Sequence, residues 1–481
     1  MIDRIRTLER ASAVLDPGAV ERAALSRAAI DHAEAFYRWL ETAPASSSPE
    51  EDGRGLCDSP ISPEPIAMHE ALALIERNVD RTGQNTASAG FLAYIPGGNL
   101  YHSAIGDFLA AVSNRFSGHF LGAPGAVRME NMLLRWMAGV VGYPGAASGN
   151  LTSGGSIANL IAITVAREAA GLRARDVERS VVYLTPQAHH CIAKGLRIAG
   201  VAECVKRFVP MDEGFRMMPE SLDAAIARDR AAGLNPWLIV ASAGTTDTGA
   251  VDPLRAIGEI ARRHGIWYHV DGAYGGYFAL CAEGKRLLDG IEASDSVVLD
   301  PHKGLYIPFG TGAVLVRDAK ALRAPHVFDA AYIPDEAHAL EEPSPTDNSP
   351  ELSRHFRGLR LWLPLKLLGT RPFEAALEEK LLLARYFHQR MQGLDGFELG
   401  RPPDLSIVVF RYVPRQGDAN DFNRRLLRAV REDGSVSLSP TRLGDTLWIR
   451  LAILGFRTHL DTIDRAVEVL GEKAANLNST A

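Results

Sequence analysis

Hydrophobic positions along this chain follow two periods. Apolar residues recur at helical spacing in Val20, Leu25, Ile30, Phe36, Trp39 and Leu40, which predicts a helix over 19–42. A second helix is predicted over 66–78, and a third over 156–170, where Ile157, Leu160, Ile161, Thr164 and Val165 share one face. Between such stretches lie short continuous runs rich in Val and Ile: 181–185, WLIVAS, and three more between Ile266 and Arg317. Those three read IWYHVDGAYGG, SVVLDPHKG and TGAVLVRD, each bounded by Gly, Pro or Asp. The pattern predicts buried parallel strands of an α/β sheet. From about residue 364 the pattern changes to helices near 373–391 and 420–431 with the strands LSIVVFRY and TLWIRLAIL, a smaller α+β unit. A stretch dense in Pro, Ser and acids over 43–65 reads as a linker. The expected division is an N-terminal helical extension (1–90), a large domain (91–364) and a small C-terminal domain (365–481).

Chemistry belongs at the carboxyl ends of the strands, where open α/β sheets hold ligands. Asp271 closes one strand and His302 and Lys303 follow another. A single Lys or Asp at a strand end is usually a solvated loop residue. Here both occur with a glycine-serine turn, TSGGS, that opens a helix at Gly155 and Ser156, whose free amides and dipole suit a phosphate. Together these are the parts needed to hold pyridoxal phosphate (PLP), with Lys303 forming the Schiff base, Asp271 keeping the pyridine nitrogen protonated and the turn binding phosphate. Asp252, before Pro253, is expected to cap the helix that follows.

Composition narrows the choices. Of 481 residues, 46% are hydrophobic and 23% charged, an ordinary globular balance. The net charge of −6, without a basic stripe, argues against nucleic acid as a partner. The charged start MIDRIRTLERASAVLD is read as neither a signal peptide nor a membrane span, so the expected location is the cytoplasm. Four cysteines without metal-ligand spacing predict reduced structural thiols and no metal site.

The motifs DGAYGG, DPHKG, TSGGSIAN and QAHH resemble those of the group II PLP-dependent amino acid decarboxylases, in the family order and over roughly 91–470. The resemblance implies PLP-dependent transferase fold type I: a large, mostly parallel sheet with helices on both faces, a smaller C-terminal α+β domain and an N-terminal extension packed in a homodimer. It also implies that His189 stacks on the cofactor ring, that Thr246 supports the cofactor, and that Asp300 and His302 lie beside it. Tyr332, within a long Pro-rich and acidic stretch, aligns with the tyrosine of the family's mobile catalytic loop and would act as proton donor. Arg357 follows in the family's basic segment. Two residues depart from the common pattern of the aromatic enzymes: Gly97 stands where a hydroxyl residue is usual, and Gly304 replaces a tryptophan. Asp300 stands where the animal enzymes carry an amide.

The implied reaction is decarboxylation of an L-amino acid, aromatic by overall resemblance, to the amine and carbon dioxide. Its rivals on the same fold are an aldehyde synthase, a lyase or an aminotransferase, the last with Arg442 or Arg450 as carboxylate clamp. The rival of another class is a non-catalytic PLP-binding protein.

Overall fold

The computed structural model describes residues 1–47, 52–95, 97–327 and 342–479. Seven strands form the central sheet: β1 (Ser148–Thr152), β2 (Ser180–Leu184), β3 (Val205–Phe208), β4 (Asn235–Ser242), β5 (Trp267–Asp271), β6 (Ser296–Leu299) and β7 (Gly312–Val316). Their order is β1-β7-β6-β5-β4-β2-β3. The pairs from β6 through β5, β4 and β2 to β3 are parallel. The third run of the 266–317 stretch is a correction to the expected parallel set: β7 is antiparallel to both β6 and β1. An apolar run buried on both faces carries no direction, and the chain after β6 makes one short helix, Pro301–Gly304, and returns along the same edge. β7 therefore starts where β6 ends, and both ends face the same side of the sheet.

Alternation along the strands builds two cores. Tyr268, Val270, Val297 and Leu299 face one layer with Leu254 and Ile257 of helix Leu254–His264. Val298, Val314 and Val316 face the other, under Ala158, Ile161 and Val165 of helix Gly155–Ala169. β1 lies at the sheet edge, where free carbonyls would otherwise invite another strand. Side chains cap them: Arg354 Nη2 donates to Leu151 O at 2.9 Å, Arg357 Nη1 to the same oxygen at 3.2 Å, and Asn348 Nδ2 to Gly149 O at 3.3 Å.

A second, fully antiparallel sheet has the order β10-β11-β9-β8, from β8 (Phe397–Leu399), β9 (Ile407–Tyr412), β10 (Ser439–Leu443) and β11 (Thr446–Ala452). Helices Arg371–Gln392, Ala419–Asp433 and Leu460–Ser479 enclose a core with it around Phe387, Phe410, Leu426, Ile449 and Leu470. Residues 90–92 bond to this part, with Leu92 N–H to Ser437 O at 3.0 Å and Ala452 N–H to Leu92 O at 2.9 Å. The N-terminal helices Ile2–Ser12 and Ala19–Leu40 hold no buried residue. Among the described residues, no helix is long and apolar enough to cross a membrane.

Candidate active site

Strands β4, β5 and β6 end beside the N-terminus of helix Gly155–Ala169, and a cavity of about 280 Å³ lies between them. Lys303, Asp271 and His189 line it. So do Gly155 and Ser156 from the helix start, Thr246 from the turn after β4, and Asp300 and His302 beyond β6. Eight residues expected from separate motifs thus converge on one space. Tyr332 lies outside the described residues.

Charge is arranged asymmetrically across this cavity. Lys303 Nζ sits 3.0 Å from Asp300 Oδ2, and its side chain keeps 22% exposure while that of Asp300 keeps 2%. Burial pulls the Lys303 amine down, but Asp300 and the more distant Asp271 together outweigh it, so its pKa is raised. The lysine is thereby held as an ammonium ion until a partner neutralises it. His302 approaches the same carboxylate only to 3.6 Å, and its Nδ1 donates instead to Thr311 O at 2.6 Å. Burial lowers the His302 pKa, and it lowers that of His189 as well, so both rings are neutral at pH 7. His189 Nδ1 accepts the Cys191 N–H at 3.3 Å, which fixes the ring at the start of helix Cys191–Ile198.

Asp271 is held from behind. Its Oδ1 accepts Ala273 N–H at 3.1 Å, and its Oδ2 accepts Asn159 Nδ2 at 3.4 Å. Asn159 and Cys191 also line the cavity and were not singled out from the sequence. The available signal was position: Asn159 stands one helical turn after Gly155 within TSGGSIAN, and Cys191 directly follows QAHH.

One sequence reading changes. Asp252 does not cap the following helix, whose N-cap Pro253 has no side-chain bond. Its carboxylate is buried and accepts Met217 N–H and Ser242 N–H, each at 2.7 Å. Arg357, from the basic segment, is 7% exposed and pairs with Glu351 at 2.7 Å. Arg450 spends its guanidinium on Tyr94 O at 2.7 Å and Ser439 Oγ at 3.0 Å, which occupies it as an anchor for the 90–95 segment.

The model of the pyridoxal-dependent decarboxylase conserved domain matches residues 53–413. An aromatic-L-amino-acid decarboxylase from Bacillus atrophaeus is 34% identical over 394 residues, which cover 81% of this chain and 82% of that protein. The chain belongs to the pyridoxal-dependent decarboxylase family. A phenylacetaldehyde synthase from Arabidopsis thaliana is 31% identical over 404 residues, covering 81% of this chain and 82% of that one. The crystal structure of Catharanthus roseus tryptophan decarboxylase in complex with L-tryptophan superposes with a TM-score of 0.87 at 26% identity, covering 96% of this chain and 99% of that one.

The decarboxylase's cofactor is PLP, and the donor set suits it. Helix Gly155–Ala169 has no side-chain cap, so its first amides lie free for a phosphate, while a primary amine and a carboxylate face the same cavity. The departures from the aromatic enzymes also have physical reasons in this decarboxylase. A Cβ at Gly97 would lie well inside contact distance of His302 O, so the 97 backbone packs directly on the segment that carries Lys303. A Cβ at Gly304 would stand 2.6 Å from Tyr277 Cβ, because the fully buried Tyr277 fills the volume a larger residue would take.

Proposed function

We propose that this decarboxylase converts an aromatic L-amino acid to its amine and carbon dioxide. The convergence of Lys303, Asp271, His189 and the Gly155 helix start on one cavity carries this reading. The names of the Bacillus and Catharanthus relatives support the aromatic substrate. Bound PLP supplies the electron sink for the pair released when the Cα–carboxylate bond breaks.

In this reading Lys303 Nζ holds the cofactor covalently between turnovers and takes part in proton movement at the substrate amine. Asp271 keeps a proton on the ring nitrogen. Neutral His189 covers one ring face and orients the scissile bond. Gly155 and Ser156 bind the phosphate, with Thr246 supporting the ring near Asp271. His302 fixes the wall beside Lys303 through Thr311, and Asp300 serves as the resting counter-ion of Lys303 rather than as a phosphate ligand. Tyr332 is assigned as the proton donor to the product carbon. The division into 1–90, 91–364 and 365–481, a homodimer and a cytoplasmic location belong to the same proposal. Exposed Ile5, Leu8, Val20, Leu25 and Ile30 on the N-terminal helices support a second copy as their cover.

Mass spectrometry of the products from each common L-amino acid tests the function. Amine from Phe, Tyr or Trp is expected. Amine only from Glu, Asp or His would replace the substrate class, and absence of any amine would overturn the reaction. The similarity to a phenylacetaldehyde synthase favours one second reading, an oxidative enzyme that releases aldehyde. Tyr332→Phe is expected to raise the aldehyde share; an unchanged ratio would remove Tyr332 from the mechanism.

A further inference from the structure

We propose that His269 is a positioning residue for this reaction: acting through Asn159, it fixes the Asp271 carboxylate as an acceptor facing the cavity. The inference rests on the reading that Asp271 meets the ring nitrogen of the cofactor.

Strand alternation creates the arrangement. Trp267, His269 and Asp271 occupy alternate positions of β5 and so share one face, the face covered by helix Gly155–Ala169. Across that face runs an unbroken chain of hydrogen bonds. Trp267 Nε1 donates to Ser296 Oγ at 2.9 Å, and Ser296 Oγ lies 2.8 Å from His269 Nδ1. His269 Nε2 lies 2.8 Å from Asn159 Oδ1, and Asn159 Nδ2 reaches Gly155 O at 2.9 Å and Asp271 Oδ2 at 3.4 Å.

The polarity of every bond follows from the groups that have only one role. Gly155 O and the Asp271 carboxylate only accept, so the amide nitrogen of Asn159 must face them and its oxygen must face His269. His269 Nε2 therefore carries the hydrogen. At the other end the indole only donates, so the Ser296 hydroxyl accepts from Trp267 and gives its own hydrogen to His269 Nδ1. All donors point towards Asp271. Burial lowers the His269 pKa to about 4, in keeping with the neutral ring this polarity requires. Reversing Asn159 would turn its oxygen on the Asp271 carboxylate and leave two facing nitrogen donors, which His269 Nε2–H prevents. The imidazole thus sets the amide, and the amide sets the carboxylate. His269 does not itself line the cavity and reaches it only through Asn159.

The test compares PLP with its carbocyclic analogue, in which C–H replaces the ring nitrogen, by equilibrium dialysis against the full-length protein stripped of cofactor. Wild type should bind PLP more tightly than the analogue. His269→Phe should lose about tenfold of that preference, the effect of one hydrogen bond aimed at a charged group, with affinity for the analogue unchanged. His269→Gln, which restores a donor to Asn159, should recover most of it. Equal weakening of both ligands, or no change in either, would overturn the relay and assign His269 to packing. Where His269→Phe does not fold, Ser296→Ala keeps the imidazole and should show the same selective loss at about threefold; an unselective loss would overturn the proposal. A wild-type protein that does not distinguish the two ligands would instead overturn the role of Asp271 itself, and the relay with it.

Discussion

Replacing Asp252 by asparagine should change how stability depends on pH more than it changes stability. Burial raises this carboxyl from its ordinary 3.8 to about 6, and the two backbone N–H groups and Arg216 do not offset it. At about 1.4 kcal/mol per pH unit, ionised Asp252 costs the folded state about 3 kcal/mol at pH 7. The sign follows from the raised folded value. The contribution of the protonated group is complete below pH 3.8 and is lost as pH rises through 6. Asparagine removes that cost, yet its NH2 group faces one of the two N–H donors from Met217 and Ser242. An orphaned buried donor costs about 1–3 kcal/mol, so at pH 7 the two effects nearly cancel. The difference between variant and wild type is the sharper quantity. Between pH 5 and pH 7.5 it should move by about 1.4 kcal/mol in favour of the variant, measured by urea unfolding of both proteins side by side. A gap that stays constant, or moves the other way, would refute the dominance of burial at this site and show that the two N–H bonds control the carboxylate.

Two further changes probe the cavity wall. Gly97→Ser must part the 97 backbone from His302 O, and a displacement of about 1 Å at the adjacent Lys303 should lower kcat about a hundredfold; an unchanged kcat would show that the 97 segment yields instead. Asp300→Asn removes the carboxylate 3.0 Å from Lys303 Nζ, so the Lys303 pKa should fall and a lysine-directed electrophile should label it faster at pH 8 in cofactor-free protein. The same variant should bind PLP about tenfold more tightly, since a buried like charge near the phosphate is gone; weaker binding would show that Asp300 helps to hold the cofactor instead of repelling it.

Much of this site was legible because its residues sit at strand ends and in glycine-marked turns. Asp271 and Lys303 stand at the ends of strands whose apolar runs are unambiguous, and the Gly155 turn is marked by its own glycines and serines. Less visible were elements whose partners lie far away in sequence. β1 reads SGNLT, too polar for a buried strand, and it is one only because Arg354, Arg357 and Asn348 cap its outer carbonyls. β3 reads VKRF, with two exposed side chains of four, as suits a strand at the sheet edge. The direction of β7 had no local signature. Asp252 was misread because an acid before Pro at a helix start suggests a cap, whereas its real partners lie at Met217 and Ser242. Asn159 and His269 stood within quoted motifs, but polar side chains inside a helix and a strand announce a network only when both elements are seen together.

The antiparallel return of β7 has a consequence for how the protein reaches its native state. Asp300, Lys303 and Thr311 are joined by a short stretch of chain, so one wall of the cavity can form early from near neighbours. The opposite wall, at Gly155, follows β1, whose Thr152 pairs with Gly312 across a very long loop. Such a contact carries the greater closure entropy and belongs late in folding. In the placement proposed above, PLP would bridge an early half-site and a late one and so favour the closed chain over every partly assembled form, which would make the cofactor also a folding ligand.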